Sequence, residues 1–164
     1  YENTYTLHND YIHVDNRYTD YSDYIHPLHD QELPAFYVVA YLDTFVFYDG
    51  ESAWTNDTLR VEPDLPFWSG PHYYFKTDEN WCAWTDDNGY GIGLYSPVCT
   101  DCSAGRNYGS SGPIGTMNSS HGDCSYVSTQ TDMTIVRFET IEYSYYVATG
   151  DVNDIRNVFK DQCR

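Results

Sequence analysis

The most informative segment of the chain is WCAWTDDNGYGIGLY, residues 81–95. Aromatic and aliphatic residues lie on both sides of the polar turn Asp86-Asp87-Asn88-Gly89. The Asn-Gly pair accepts the positive φ angles that a tight hairpin turn requires. The segment therefore predicts two antiparallel strands, 81–84 and 90–95, and it indicates an all-β fold.

The rest of the sequence also favours strands. Its 18 tyrosines outnumber the 7 Phe and 4 Trp together, and aromatic and β-branched residues favour pleated, half-buried surfaces. Three more segments have strand patterns: a continuous apolar run, a second run that ends at Asp49-Gly50, and a region of alternating residues. These are 35–42, 44–48 and 131–149. We predict one domain, residues 1–164, folded as an antiparallel β-sandwich.

The predicted fold has a single short helix at the C-terminus. Asp151 is a suitable N-cap, and Val152, Ile155, Val158 and Phe159 fall on one apolar stripe. Two segments, 51–72 and 96–123, are predicted as long loops, because prolines interrupt the first and Gly, Ser and Asn fill the second. One short strand is predicted within the first. Residues 1–24 mix polar and apolar residues loosely. They are predicted either as strands of the domain's own sheet or as an N-terminal arm that pairs with a neighbour.

The charge of the chain excludes several classes of partner. Eight basic residues against 25 acidic residues give a net charge of −17. Such a field repels nucleic acid phosphates and anionic membrane surfaces, so no nucleic acid partner is predicted. The sequence has no apolar run of about 18 residues, so no membrane insertion is predicted either. Neutral glycans and basic partners remain compatible with the charge.

The cysteines and glycosylation sequons suggest export. A Cys-x-x-C motif at 99 and 102 without a second metal-binding pair argues against zinc, so we predict disulfides that staple the long loops. An odd fifth cysteine leaves one thiol that is either free or available for an interchain bond. The predicted disulfide cysteines are Cys82, Cys99, Cys102 and Cys124, the interchain thiol is Cys163, and the glycosylation sites are Asn56 and Asn118. We expect a secreted, extracellular glycoprotein.

Candidate ligand-binding residues fall in three places. Trp54 and Trp68 lie in the proline-rich segment 51–72, where a buried role is less assured than for the hairpin tryptophans. Tyr90 follows the hairpin turn and could also stack on a sugar ring. His29 and Glu32 lie in a cluster that could supply an acid, a base or a ligand contact, or could be a solvated loop broken by Pro27.

No recognisable catalytic or cofactor-binding motif occurs in the chain. The acidic pair in the hairpin turn lacks the ligand spacing of a calcium loop, so we predict no catalytic residue, no cofactor and no metal. The leading hypothesis is a non-catalytic extracellular module that binds carbohydrate. The alternatives are a self-assembling structural subunit of a fibre or coat, and a polysaccharide-active enzyme domain. The expected partners are therefore glycan or copies of the chain itself, as a homo-oligomer or filament.

Overall fold

The structure is a computed structural model that describes residues 1–65, 73–99, 101–108 and 124–163. Eleven strands and one helix lie within these residues. The elements are β1 (Glu2–Leu7), β2 (Tyr11–Thr19), β3 (His26–Val39), β4 (Thr44–Phe47), β5 (Arg60–Glu62), β6 (Tyr73–Lys76), β7 (Trp81–Thr85), β8 (Tyr90–Tyr95), β9 (Asp101–Tyr108), β10 (Cys124–Ile135), β11 (Thr140–Asp151) and α1 (Val152–Gln162).

The strands form two antiparallel sheets. The larger sheet has the order β1-β2-β11-β8-β7-β4-β5, and the smaller sheet has the order β3-β10-β9-β6. The prediction of a mostly β fold with one short C-terminal helix is confirmed. Both sheets contribute side chains to one hydrophobic cluster, which we call the inner core, and this arrangement is compatible with the predicted sandwich.

Aromatic rings fill the inner core. Phe45 and Phe47 on β4 are fully buried, and both rings contact Phe75 on β6 of the other sheet, with centroids 5.0 and 4.6 Å apart. Trp84 on β7 lies 4.7 Å from Phe45, centroid to centroid. All five residues of β7 are buried, so the strand is covered on both faces: Trp84 lies in the inner core, and Trp81, three residues earlier, lies in a second cluster on the other face.

The predicted hairpin at 81–95 is present as β7 and β8. Gly89 has a φ of 78°, the left-handed conformation that the Asn-Gly signal predicts. The Asp86 carboxylate accepts hydrogen bonds from the amides of Asn88 and Tyr90 at 2.9 and 3.0 Å. These two bonds lower the pKa of Asp86, with the Tyr90 amide as the larger cause, so the side chain stays ionised and holds the turn.

The helix covers the outer face of the larger sheet. Ile155 and Phe159 are buried against Trp81, Ala83 and Tyr95, and we call this cluster the outer core. The Asp151 side chain accepts a hydrogen bond from the Asn153 amide, as predicted for the N-cap. Gly93 allows the close approach, because a Cβ there would lie 2.4 Å from the Ile155 Cγ2.

Within residues 1–24, the strands β1 and β2 pair inside the larger sheet. β1 is antiparallel to β2, with Tyr5 opposite Val14, and β2 is antiparallel to β11, with Val14 opposite Tyr145. Val14 is buried. In this structure the segment contributes strands to the domain's own sheet, which is the first of the two alternatives predicted for it; the other was an arm that pairs with a neighbour.

The predicted disulfides are absent. All five cysteines lie within the described residues, and none forms a disulfide. Cys82 on β7 and Cys102 on β9 are buried in the inner core, where the Cys99 Sγ lies 3.0 Å from the Cys102 Sγ. Cys124 begins β10, and the Cys163 Sγ lies 2.9 Å from the Tyr95 hydroxyl. The prediction placed the Cys-x-x-Cys motif in an irregular loop, whereas the pleat of β9 turns Cys102 into the core.

Two further predictions of irregular structure were wrong. The segment 26–32 continues as β3 despite Pro27, which is possible because β3 is an edge strand. Residues 101–108 form β9, which pairs with β6 and β10, although Gly and Ser dominate the region around them. Small residues such as Ser103 and Ala104 are fully buried there. The strand is therefore closely packed without the large apolar side chains from which a strand is recognised in a sequence.

Among the described residues, no helix combines the length and the apolar character needed to cross a membrane.

Candidate functional site

A groove runs beside α1 on the outer face of the larger sheet, with a volume of about 770 Å³. We call it the helix groove. One wall is the segment 55–59 with Val61 and Pro63, and the other is the exposed flank of α1. Its floor consists of residues from β4 and β7, and the hairpin turn closes one end. The α1 residues in the lining are Val152, Asn153, Arg156, Asn157 and Lys160.

A buried ion pair fixes the helix beneath this groove. Glu79, in the turn between β6 and β7, accepts hydrogen bonds from Arg156 through both carboxylate oxygens, at 2.6 and 2.9 Å. The same carboxylate accepts from the Trp81 indole at 2.7 Å and from the Trp54 amide. Glu79 is 1% exposed and Arg156 is 7% exposed. Because four hydrogen bonds satisfy this buried carboxylate, Glu79 has a structural role and anchors the helix to the sheet.

Arg156 also orients the opposite wall. Its Nη1 donates to the Asp57 carbonyl at 3.0 Å, and its guanidinium carbon lies 4.9 Å from the centre of the Tyr48 ring. The Tyr48 hydroxyl in turn donates to the Asp57 carboxylate at 3.2 Å. One arginine thereby holds the segment that carries Thr55, Asn56 and Thr58 in a fixed position across the groove from the helix.

The two walls of the groove carry polar side chains, and apolar side chains lie between them. Thr55, Asn56 and Thr58 are exposed on one wall, and Asn153 and Asn157 are exposed on the other. Apolar side chains lie between them, from Val46, Leu59 and Val152. The walls thus offer hydroxyl and amide groups, which both donate and accept hydrogen bonds, above an apolar surface.

The charge of the lining disfavours an anionic ligand. Three carboxylates, those of Asp57, Asp86 and Asp87, stand against the two basic groups of Arg156 and Lys160. Arg156 is committed to the buried ion pair, and the Lys160 Nζ donates to the Trp54 carbonyl at 2.7 Å. The described lining therefore suits a neutral or cationic ligand.

Trp54 directly precedes the wall segment 55–59 of the helix groove and does not belong to the lining. Its backbone is anchored on both sides, because the amide donates to Glu79 and the carbonyl accepts from Lys160. Its φ is 61°, and its half-buried ring packs edge-on against Tyr95, with centroids 6.3 Å apart. The ring therefore packs partly against the outer core.

The other predicted ligand residues lie elsewhere. Tyr90 is 59% exposed, but alternation along β8 places it on the face of Ile92 and Leu94, away from α1. His29 and Glu32 are exposed on β3 of the smaller sheet, where the Ser128 hydroxyl approaches Glu32 at 3.5 Å. Among the predicted ligand residues that the structure describes, Trp54, Tyr90, His29 and Glu32 are therefore not gathered into one site.

Two predicted residues, Trp68 and Asn118, lie outside the described residues. The other sequon residue, Asn56, is exposed on the rim of the helix groove. Within the part of the chain that the structure describes, no group of three or more His, Cys, Asp or Glu residues could hold a metal ion.

Sequence reasoning missed the residues that build the helix groove. Arg156 had a partial signal, because it lies one turn after Val152 at the edge of the apolar stripe of α1. A buried arginine requires an acidic partner, but only the fold shows that the partner is Glu79, 77 residues earlier. Asn157 had no signal beyond its place on a helix surface.

No protein-family model, curated protein or solved structure matches this chain.

Proposed function

We propose that this domain is a non-catalytic extracellular module that binds a neutral carbohydrate in the helix groove. The observation that carries the proposal is the composition of the groove, in which hydroxyl and amide side chains on two fixed walls flank the apolar side chains of Val46, Leu59 and Val152. A sugar ring needs this combination, because its hydroxyls must keep hydrogen-bond partners when they leave water, while its C–H faces favour apolar contact.

Pre-formed walls support binding without a large ordering cost. The buried Glu79–Arg156 pair holds the helix, and the bond from Arg156 to the Asp57 carbonyl holds the facing segment. A ligand that enters a fixed site does not have to order its walls, so more of the contact energy appears as affinity.

Calorimetric titration tests the proposal. The full chain would be titrated with neutral hexasaccharides of cellulose, β-1,3-glucan and mannan, and we expect saturable binding of at least one. Asn157→Ala should weaken that binding about tenfold, because a hydrogen bond of about 1.4 kcal/mol is lost from the wall. Gln162→Ala is the matched control, since Gln162 lies on the opposite flank of α1, outside the groove.

The sequon at Asn56 affects how the titration is designed. A glycan attached to this side chain would stand at the groove rim and would compete with a free sugar. The titration should therefore use protein from a host that does not attach N-linked glycans. Protein from a glycosylating host should bind more weakly than its own Asn56→Gln variant.

The second candidate function is self-assembly, which the position of β1 favours. β1 is an edge strand of the larger sheet, and all six of its residues are exposed, including Tyr5 and Leu7. An unpaired strand edge is a template for another strand. This function predicts oligomers that form with rising concentration and are lost on deletion of residues 1–8, measured by light scattering. A strict monomer at high concentration would exclude it.

A further inference from the structure

Two loops lie side by side at the end of the sheets remote from the helix groove. Residues 20–25 connect β2 to β3, and residues 136–139 connect β10 to β11. The strands that flank them are paired, with Thr19 opposite Thr140 and His26 opposite Ile135. Both loops therefore cross between the two sheets at the same end, and we call this pair of loops the aromatic tip.

The aromatic tip presents large rings to solvent. Tyr21 is 77% exposed and Phe138 is 58% exposed, and their ring centroids lie 6.2 Å apart in an edge-on arrangement. The Arg137 guanidinium carbon lies 4.3 Å from the centre of the Phe138 ring. Tyr24, in the same loop as Tyr21, is 59% exposed. Exposed rings on adjacent loops are typical of a binding surface.

The backbone beneath the rings is held by hydrogen bonds. The Phe138 amide donates to the Asp20 carbonyl at 2.8 Å, which ties one loop to the other. The buried Asp20 carboxylate accepts from the Ser22 amide at 2.9 Å and from the Ser22 hydroxyl at 2.8 Å. Arg137 pairs with Asp23 at 2.8 Å. The two loops therefore form one fixed support for Tyr21 and Phe138.

Phe138 adopts a backbone conformation that its residue type disfavours. Its φ is 65°, in the left-handed region where Gly and Asn are favoured and a bulky side chain is an outlier. Burial of the ring does not compensate for this, because more than half of the side chain is exposed. A strained residue with an exposed ring on a fixed loop points to a role in binding.

We propose that the aromatic tip is a second carbohydrate-binding site, at which a neutral sugar stacks on the rings of Tyr21 and Phe138. The groups around the rings are polar: Ser22, Asp23 and Arg137 can hydrogen-bond the sugar hydroxyls. These polar groups also argue against a lipid bilayer as the ligand, because the 86% exposed Asp23 side chain would have to enter the membrane beside the rings. The inference shares its ligand class with the proposed function and rests on it to that extent.

The two sites lie at opposite ends of β11. Phe138 lies two residues before the start of this strand and Val152 directly follows its end. The length of the strand, roughly 36 Å at the rise of a β-strand, therefore separates the two sites. One polysaccharide chain or one polysaccharide surface can therefore engage both sites. Binding to a polymer should exceed binding to a short oligosaccharide, because the second contact becomes intramolecular.

The experiment compares a double variant, Tyr21→Ser with Phe138→Asn, with the unchanged chain. Asn tolerates the left-handed conformation, so the substitution removes the ring and keeps the loop. Tyr74→Ser is the matched control, because Tyr74 is 70% exposed on β6 of the smaller sheet. Thermal melting would confirm that all three proteins are folded. The probes are insoluble cellulose, β-1,3-glucan and mannan, together with their soluble hexasaccharides.

We expect the double variant to lose at least tenfold in apparent affinity for the polymer that the unchanged chain binds, while Tyr74→Ser keeps it. Unchanged polymer binding by the double variant would overturn the proposal. The proposal would also be overturned if the unchanged chain and Tyr74→Ser bound phosphatidylcholine vesicles, or self-associated, and the double variant did not. Hexasaccharide binding that is lost in Asn157→Ala but kept in the double variant supports the helix groove alone, so the two proposals fail separately. An absence of binding to every probe overturns both.

Discussion

Glu79 and Arg156 form a buried, doubly hydrogen-bonded ion pair that joins the turn before β7 to the middle of α1. The pair lies 77 residues apart in the chain and connects three parts of the fold, because Glu79 also binds the Trp54 amide and the Trp81 indole. The helix groove exists in its described shape because this pair fixes α1 on the sheet. Stability and the proposed site therefore depend on the same two side chains.

Removal of the acidic partner should be strongly destabilising. We expect Glu79→Gln to lower the free energy of unfolding by about 3–5 kcal/mol, because it leaves the Arg156 charge buried without a counter-ion. Urea denaturation measures the loss. The matched control is Arg60→Ala, which breaks exposed pairs with Asp49 and Glu62 and should cost about 1 kcal/mol or less. Equal losses in the two variants would contradict the role assigned to Glu79.

The close approach of α1 to β8 should not tolerate a side chain at residue 93. In Gly93→Ala the new Cβ would lie 2.4 Å from the Ile155 Cγ2 and 2.9 Å from the Phe159 ring, so the helix must shift. We expect a loss of about 1–3 kcal/mol in thermal or urea unfolding. Gly89→Asn is the control, since residue 89 has open space and Asn accepts its positive φ. A neutral Gly93→Ala would show that the packing is looser than described.

The aromatic tip should loosen in acid. Hydrogen bonds from the Ser22 amide and then the Ser22 hydroxyl lower the pKa of Asp20 below its ordinary value of 3.8, with smaller effects from His26 and Arg137. The ionised form is therefore the one that the fold favours. Its stabilisation is complete at pH values well above 3.8 and is lost as the pH falls through the lowered pKa.

Urea denaturation of the unchanged chain and of Asp20→Asn at several pH values tests this. The difference in unfolding free energy between the two proteins should be constant above pH 3.8 and should shrink at lower pH. A difference that grows as the pH falls would have the wrong sign and would contradict the described hydrogen bonds.

The N-cap of α1 gives a smaller effect. Asp151→Ala removes the acceptor of the Asn153 amide at 2.9 Å and should cost about 1 kcal/mol. Asp151→Ser should restore most of the loss, because a serine hydroxyl also caps a helix. Thermal unfolding of the two variants distinguishes a cap from a purely electrostatic effect, which serine would not restore.

Local signals predicted the elements that depend on neighbouring residues. The Asn88-Gly89 turn, the apolar run that becomes β4, and the capped amphipathic helix after Asp151 were all recognisable from the sequence, because each depends on residues within a few positions. β9 was not recognisable, because Ser103 and Ala104 lie in a strand whose close packing comes from its two neighbours.

The candidate site could not be predicted for a similar reason. Trp54 was singled out as a ligand residue from its loop, but its amide and carbonyl are held by Glu79 and Lys160, from distant parts of the chain. The cysteines were interpreted by their spacing alone, whereas the pleat of β7 and β9 places Cys82 and Cys102 in the inner core. Contacts between residues far apart in sequence determine both arrangements.

The most direct test of the central claim is calorimetric titration of the non-glycosylated full chain with neutral hexasaccharides, alongside Asn157→Ala and Gln162→Ala. We expect saturable binding that Asn157→Ala weakens about tenfold and Gln162→Ala leaves unchanged. No binding to any neutral hexasaccharide, or equal binding by Asn157→Ala and the unchanged chain, would contradict carbohydrate recognition in the helix groove.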